Sequence, residues 1–150
     1  NMKLVGQNSS LDLVIVGYQF PDITEGGWDS NWLLVKGIAC LDGKKWEFVD
    51  PCLTTLEAQR LANWLEATAQ FENTGPYCDF VEPNLQFSRR RPNIVRISFA
   101  LESQPPWADD EDDWDKHGFE VPVGPALLAA AKQMREQLRK FPIRGTLGSD

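Results

Sequence analysis

The first half of the chain alternates apolar runs with polar turns. Residues 11–18 are rich in β-branched and aromatic side chains and stop before a Phe-Pro turn, which favours a buried strand. A second run, residues 32–41, reaches Asp42-Gly43 and continues through residues 44–49. Asp-Gly between two such runs predicts a hairpin, because both turn positions require a positive φ. Three strands are therefore predicted before residue 50, the last two joined as a hairpin.

A helix over residues 55–70 is predicted from its first turn and from the spacing of its apolar residues. Thr54 and Glu57 can form a capping box, in which each side chain accepts a hydrogen bond from the backbone amide of the other. One face of this helix is expected to pack against the sheet. Its residues follow one another at helical spacing: Leu61, Trp64, Leu65 and Thr68.

Three further strands are predicted, over residues 77–82, 85–90 and 94–101. The last strand places Ile97 on one face and Arg96 and Ser98 on the other, a period of two that predicts one face of the sheet toward solvent. The arginines of residues 89–91, followed by a proline, indicate a solvated turn.

A loop from about Ser103 to His117 precedes one more strand, residues 119–123, and a final helix over about residues 125–141. Pro125 suits the first helical position, where its missing amide costs nothing. The apolar stripe of this helix consists of Leu127, Leu128, Ala131, Met134, Leu138 and Phe141.

The order strands, helix, strands, helix predicts an α+β fold in a single domain spanning residues 1–150. Its sheet should be mostly antiparallel, with about six to seven strands and two packed helices, over about residues 55–70 and 125–141. Composition agrees, since 42% of the residues are hydrophobic and 25% are charged, which is typical of one folded domain.

Negative charge is concentrated in one segment. The chain has 22 acidic and 15 basic residues and a net charge of -7, which makes free nucleic acid a poor direct partner. Six carboxylates fall within seven residues, and the remaining 16 acidic residues nearly balance the 15 basic ones. The acidity therefore belongs to the loop of residues 103–117, called the acidic loop below. Its carboxylates are Asp109, Asp110, Glu111, Asp112, Asp113 and Asp115.

Other features of the sequence indicate where in the cell the protein is expected and whether it binds a metal or cofactor. No apolar run reaches the roughly 18 residues that span a bilayer, and no signal-peptide pattern opens the chain, so a cytoplasmic protein without a membrane partner is expected. Cys40, Cys52 and Cys78 are odd in number and lie far apart in apolar surroundings, which indicates reduced thiols in the core. No metal or cofactor is expected.

Candidates for catalysis are few. His117 is the single histidine, and the chain has no nucleophile elbow, no Cys-x-x-Cys pair, no His-Glu-x-x-His helix and no phosphate-binding glycine loop. An enzyme is therefore not expected, although acid-base chemistry by carboxylates alone stays open.

The acidic loop admits three interpretations. A calcium loop counted from Asp109 requires glycine at its sixth position, where Trp114 stands. A solvated loop needs no function, because blocks of like charge repel one another. A docking site for a basic protein explains the two tryptophans that bracket the charges, since an indole buries a large area and can hold a cation against its face. The candidate partner-binding residues are Trp107, Asp109, Asp110, Glu111, Asp112, Asp113, Trp114 and Asp115.

The docking hypothesis indicates a class of partner. Closely spaced carboxylates resemble the charge density of a phosphate backbone, and nuclease clefts are positively charged in order to hold nucleic acid. The alternative for Trp107 and Trp114 is that each folds back onto the sheet and fixes the loop.

Several segments of the first half form a recognisable set. They are Gly17-Tyr18-Gln19-Phe20-Pro21, Asp29-Ser30-Asn31-Trp32-Leu33, Trp46 with Asp50-Pro51, and Asn63-Trp64-Leu65. This set resembles the WapI-type immunity proteins of bacterial polymorphic toxin and contact-dependent inhibition systems. The resemblance is clearest over residues 11–66 and fades beyond about residue 102.

The resemblance implies a small cytoplasmic protein that binds the C-terminal domain of a toxin made by the same cell or its siblings, and so prevents self-intoxication. Such a toxin is commonly a nuclease that acts on tRNA. The matching aromatic residues are expected in the core rather than at a contact. They are Tyr18, Phe20, Trp32, Trp46 and Trp64.

The leading hypothesis is therefore an immunity or inhibitor protein that occludes a basic toxin domain with the acidic loop. The alternative from a different class is a metal-binding or small catalytic domain that uses this loop. An adaptor domain with an unrelated partner is a third possibility.

Overall fold

Two four-stranded antiparallel sheets and two long helices build the fold over residues 1–146, the part of the chain that the computed structural model describes. The first sheet has the order β1 (Met2–Gly6), β2 (Ser9–Tyr18), β3 (Trp32–Leu41) and β4 (Lys44–Thr54). The second has the order β5 (Tyr77–Cys78), β6 (Leu85–Arg91), β7 (Ile94–Phe99) and β8 (His117–Pro122). The helices are α1 (Gly27–Asn31), α2 (Thr55–Ala69) and α3 (Pro125–Leu138), and Leu101–Ser103 form one 3-10 turn.

The predicted α+β class is confirmed, and so are both long helices. The strands divide between two sheets, and they include β1, a five-residue strand that the sequence pattern does not reveal. Helix α1 is also only five residues long, too short for a periodic signal. Residues 147–150 of the predicted domain lie outside the described residues.

The hairpin between β3 and β4 turns at Asp42-Gly43, as predicted. Asp42 has a φ of 50° and Gly43 a φ of 83°, the positive values that this two-residue turn requires. Because the turn sets the register, Ala39 lies opposite Trp46 and Gly37 opposite Phe48.

Helix α2 begins at the predicted capping box. The hydroxyl of Thr54 accepts the amide of Glu57 at 3.1 Å, and the Glu57 Oε1 accepts the amide of Thr54 at 3.0 Å. The Glu57 Oε2 also accepts the amide of Val81 at 2.8 Å. This buried carboxylate therefore joins the start of α2 to the segment that follows β5.

The core lies between the sheets and the two long helices. Alternate residues of β2, such as Leu11 and Leu13, are buried, and α3 packs against both β1 and α2. Trp46 and Trp64 are buried as predicted, whereas Phe20 is 38% exposed. The core prediction is wrong for Phe20 because the residue follows the end of β2. Tyr18 and Trp32 are half-buried.

The cysteines are free thiols. Cys52 and Cys78 are buried, as predicted, and burial raises the pKa of Cys52 to about 12 and that of Cys78 to about 11. Cys40 is half-buried. No helix within residues 1–146 is long and apolar enough to cross a bilayer.

Gly37 is covered by the ring of Phe48, and an added Cβ would lie 2.1 Å from the nearest ring atom. We predict that Gly37→Ala lowers the free energy of unfolding by about 1 to 3 kcal/mol, because the ring must leave a well-packed position. Gly17→Ala is the matched control, since a Cβ there meets nothing within 4 Å. Urea denaturation measures both variants, and equal stabilities would contradict the packing described.

Candidate functional site

The acidic loop is a series of short turns. Backbone hydrogen bonds of 2.9–3.0 Å close turns over residues 105–108, 109–112 and 113–116. The chain between the 3-10 turn and β8 is therefore held at close intervals by its own backbone.

Ser103 fixes the entrance of the loop. Its side chain is fully buried, and its hydroxyl donates to the carbonyl of Asn84 and accepts the amide of Ala100 at 3.1 Å. Its own carbonyl accepts the indole N–H of Trp46 at 2.9 Å. The loop thus begins at a point attached to both sheets, through Trp46 of β4 and Asn84 just before β6.

Asp115 attaches the loop to the outer face of the second sheet. Its Oδ1 lies 2.6 Å from the Arg90 Nη2, 3.1 Å from the Arg96 Nε and 2.8 Å from the Ser98 hydroxyl. Burial opposes ionisation of this carboxyl, but the hydrogen bonds from Arg90, Ser98 and Arg96 outweigh it, so the pKa of Asp115 lies below its ordinary value.

These contacts correct two predictions from the sequence. Ser98 is only 2% exposed, so the face of β7 predicted to meet solvent is covered here by the acidic loop. Arg90 lies within β6 and pairs with Asp115, so the arginine run of residues 89–91 is not a solvated turn. Periodicity shows which side chains share a face and does not show which loop crosses that face.

Asp112 closes the end of the loop on itself. Its Oδ1 lies 2.8 Å from the Lys116 Nζ, and its Oδ2 lies 2.7 Å from the His117 Nε2 and 2.8 Å from the amide of Asp109. The hydrogen bond from Lys116 contributes most, followed by that from His117, and together they hold the pKa of Asp112 well below its ordinary 3.8. The same contact raises the pKa of Lys116.

The other four carboxylates of the cluster are exposed, and none forms an ion pair with another residue in the described range 1–146. The cluster therefore divides into two anchors, Asp112 and Asp115, and four outward carboxylates. The four outward carboxylates are Asp109, Asp110, Glu111 and Asp113.

The two tryptophans of the loop differ in their contacts. Trp107 makes an edge contact with Trp46 at a centroid distance of 5.3 Å, and the Lys44 Nζ lies 5.4 Å from its ring, yet Trp107 keeps 44% of its surface exposed. Trp114 is 47% exposed and pairs with no aromatic ring among the described residues. Trp107 therefore folds back onto the first sheet.

The acidic side chains of the loop do not converge on a common centre. Within residues 1–146, no group of three or more His, Cys, Asp and Glu side chains is placed to hold a metal ion. The functional side chains that the sequence does not single out are the anchoring partners Arg90, Arg96, Ser98 and Lys116. Of the ion pairs that these residues form with the loop carboxylates, only Asp112–Lys116 could have been suggested by the sequence, because the two residues are four apart.

We predict that Asp115→Asn lowers the free energy of unfolding by about 1 to 2 kcal/mol, because Arg90 and Arg96 then face each other without an anion. The matched control is Asp110→Asn, which removes an exposed carboxylate from the same loop and should leave stability nearly unchanged. Chemical denaturation of the two variants tests the anchor. Equal destabilisation, or none in either variant, would show that Asp115 does not hold the loop.

The lowered pKa of Asp112 predicts a pH dependence. A carboxyl whose pKa is lower in the folded chain stabilises the fold above its unfolded pKa, and this contribution is lost as the pH falls through the folded value. We expect the wild type to lose stability below about pH 4 more steeply than Asp112→Asn, which has no carboxyl to protonate. Denaturation curves recorded across the acid range measure the difference, and identical pH profiles would count against the Asp112 contacts.

Comparison with known proteins agrees with the resemblance seen in the sequence. The model of the Immunity protein WapI-like family matches residues 3–142. No curated protein and no solved structure matches the chain. The family match includes the acidic loop and α3 and so extends beyond residue 102. The chain belongs to the WapI-like immunity protein family.

Proposed function

We propose that the protein neutralises a nuclease toxin domain by binding it through the acidic loop and occluding its nucleic-acid cleft. The observation that carries the immunity function is the family match over residues 3–142, and an immunity protein binds a cognate toxin protein. The protein acts by binding, without catalysis, in the cytoplasm of the cell that makes the toxin.

The four outward carboxylates suit a positively charged partner. They lie within residues 109–113, on a segment that Asp115 attaches to the second sheet and that Asp112 closes onto Lys116 and His117. A segment that is already held in place loses less conformational entropy on binding than a free loop. Exposed charges of one sign also speed the encounter with a surface of the opposite sign.

Trp114 supplies an apolar contact beside these charges. Its indole is 47% exposed and lies between Asp113 and Asp115 in sequence. Tryptophan is among the residues that contribute most to protein interfaces, because it buries a large area with few rotatable bonds. A lysine or arginine of the toxin can pack on its face while it pairs with a neighbouring carboxylate.

A nuclease is the class of toxin that this surface suits best. A nuclease holds phosphates in a basic cleft, and closely spaced carboxylates can occupy the same cleft in their place. A toxin bound in this way remains folded but cannot admit nucleic acid.

The test measures the association of the protein with the toxin domain encoded immediately upstream of its gene. Asp110→Asn/Asp113→Asn should slow association about tenfold at low salt, and the difference should disappear at high salt, where exposed charges are screened. Trp114→Ala should speed dissociation about tenfold or more, because it removes the apolar contact.

The matched control for the charge variant is Glu72→Gln/Glu136→Gln. Both glutamates are exposed and lie outside the acidic loop, and their loss changes the net charge by the same amount. Association of this control should remain close to that of the wild type. If both double variants slow association equally, net charge is responsible and the acidic loop is not the contact.

A further inference from the structure

A second surface of the protein contains an exposed apolar groove. The groove has a volume of about 400 Å³ and lies between α1, the start of α2 and the segment after β5. Three of its lining residues are exposed: Trp28 to 38%, Leu56 to 49% and Val81 to 63%. Two of the charged groups in the groove have hydrogen-bond partners: Arg60 donates to the backbone carbonyl of Asp79, and Glu57 accepts backbone amides.

An acidic pocket lies beside the groove. It also has a volume of about 400 Å³, and Phe20 and Trp32 form its aromatic part. No lysine or arginine among the described residues lines it. Its four carboxylates are Asp29, Asp50, Glu82 and Glu102.

The groove and the acidic pocket share a border. Trp28 lines the groove and Trp32 the pocket, and their ring centroids are 6.0 Å apart. Val81 and Glu82, which are consecutive in sequence, line the groove and the pocket respectively. One short segment of a partner can therefore enter both depressions.

A buried amide holds the pocket together. Asn84 is fully buried, and its Nδ2 donates to the Asp50 Oδ2 at 3.1 Å and to the Glu102 Oε2 at 3.0 Å. The Asn84 Oδ1 has no hydrogen-bond partner within the described part of the chain. The Asn84 amide thus holds the carboxylates of Asp50 and Glu102 close together, and because it is uncharged it does not neutralise them.

Like charges lie close together in the pocket. Burial, followed by the negative charges of Glu102 and Glu82, raises the pKa of Asp50 above its ordinary value. A cation placed among such carboxylates favours their ionised forms and is itself bound by them. An arginine suits the position best, because its planar guanidinium can pair with two carboxylate oxygens and stack on an aromatic ring.

We propose that the groove and the acidic pocket together form a second docking surface for the toxin domain, which places an apolar side chain in the groove and a neighbouring arginine or lysine in the pocket. This inference rests on the proposed function, since it adds a contact with the same partner. Charge complementarity selects the occupant, because four carboxylates line the pocket and no lysine or arginine among the described residues lines it with them.

The second docking surface lies near the entrance of the acidic loop. Trp46, which contacts Trp107 of the loop, and Asp50, which lines the pocket, lie on β4 four residues apart. Residues separated by an even number share a face of a strand, and four residues span about 13 Å. Glu102 of the pocket belongs to the 3-10 turn that leads into the loop.

The apolar half of the surface is tested with the purified toxin domain encoded upstream and a pair of leucine variants. Leu56→Ala should raise the Kd about tenfold, because it removes exposed apolar area from the groove. Leu128→Ala is the matched control, since Leu128 is also exposed, at 36%, on the first turns of a helix away from the groove. Its Kd should equal that of the wild type.

The acidic half is tested with a pair of charge reversals. Glu82→Lys should raise the Kd about tenfold or more, because it places a cation where the toxin's cation is expected. Glu72→Lys makes the same change at an exposed glutamate outside the pocket and should have a much smaller effect. Circular dichroism and thermal unfolding confirm that all four variants fold.

The outcomes separate this inference from the proposed function. Selective weakening by both Leu56→Ala and Glu82→Lys supports the second docking surface. If the wild type binds and the acidic-loop variants weaken binding, but Leu56→Ala and Glu82→Lys match their controls, the second docking surface is wrong and the proposed function stands. An effect in only one of the two contradicts a combined surface. A wild-type protein that does not bind the toxin overturns both proposals.

Discussion

The surface of the acidic loop depends on the ion pairs of Asp115. The carboxylates of the loop repel one another, and this repulsion alone favours an extended loop in solvent. One carboxylate shared by Arg90, Arg96 and Ser98 instead holds the loop against the second sheet, and Asp112 closes its end onto Lys116 and His117. Two of the six carboxylates therefore maintain the conformation in which the other four are presented to solvent.

Local patterns were sufficient to predict both long helices and the hairpin of the first sheet, but not β1 or α1. The hairpin, the capping box and both long helices depend on residues close in sequence. The residue types and their spacing are therefore enough to predict them. The division into two sheets depends on pairings between distant strands, which a period of two does not specify. The same limit applies to the site. Asp110 and Asp115 look alike in the sequence, and only the arginines of β6 and β7 distinguish an exposed carboxylate from an anchor.

The aromatic residues in the segments that resemble the WapI-type immunity proteins divide between the core and the surface. Trp46 and Trp64 are buried and support the core, as expected from their surroundings. Phe20 and Trp32 instead line the acidic pocket, where the chain leaves β2 and enters β3. Residues that resemble an immunity family can therefore belong to either the core or the surface. Burial in the folded protein, rather than residue type, separates the two groups.

The central claim is that the acidic loop contacts the toxin domain. Hydrogen exchange of the backbone amides of residues 105–116, measured with and without the purified toxin domain, tests this claim directly. A contact through the loop predicts slower exchange of these amides in the complex, because the turn hydrogen bonds open less often when the partner covers them. A complex that forms while exchange in residues 105–116 stays the same as in the free protein would contradict the account.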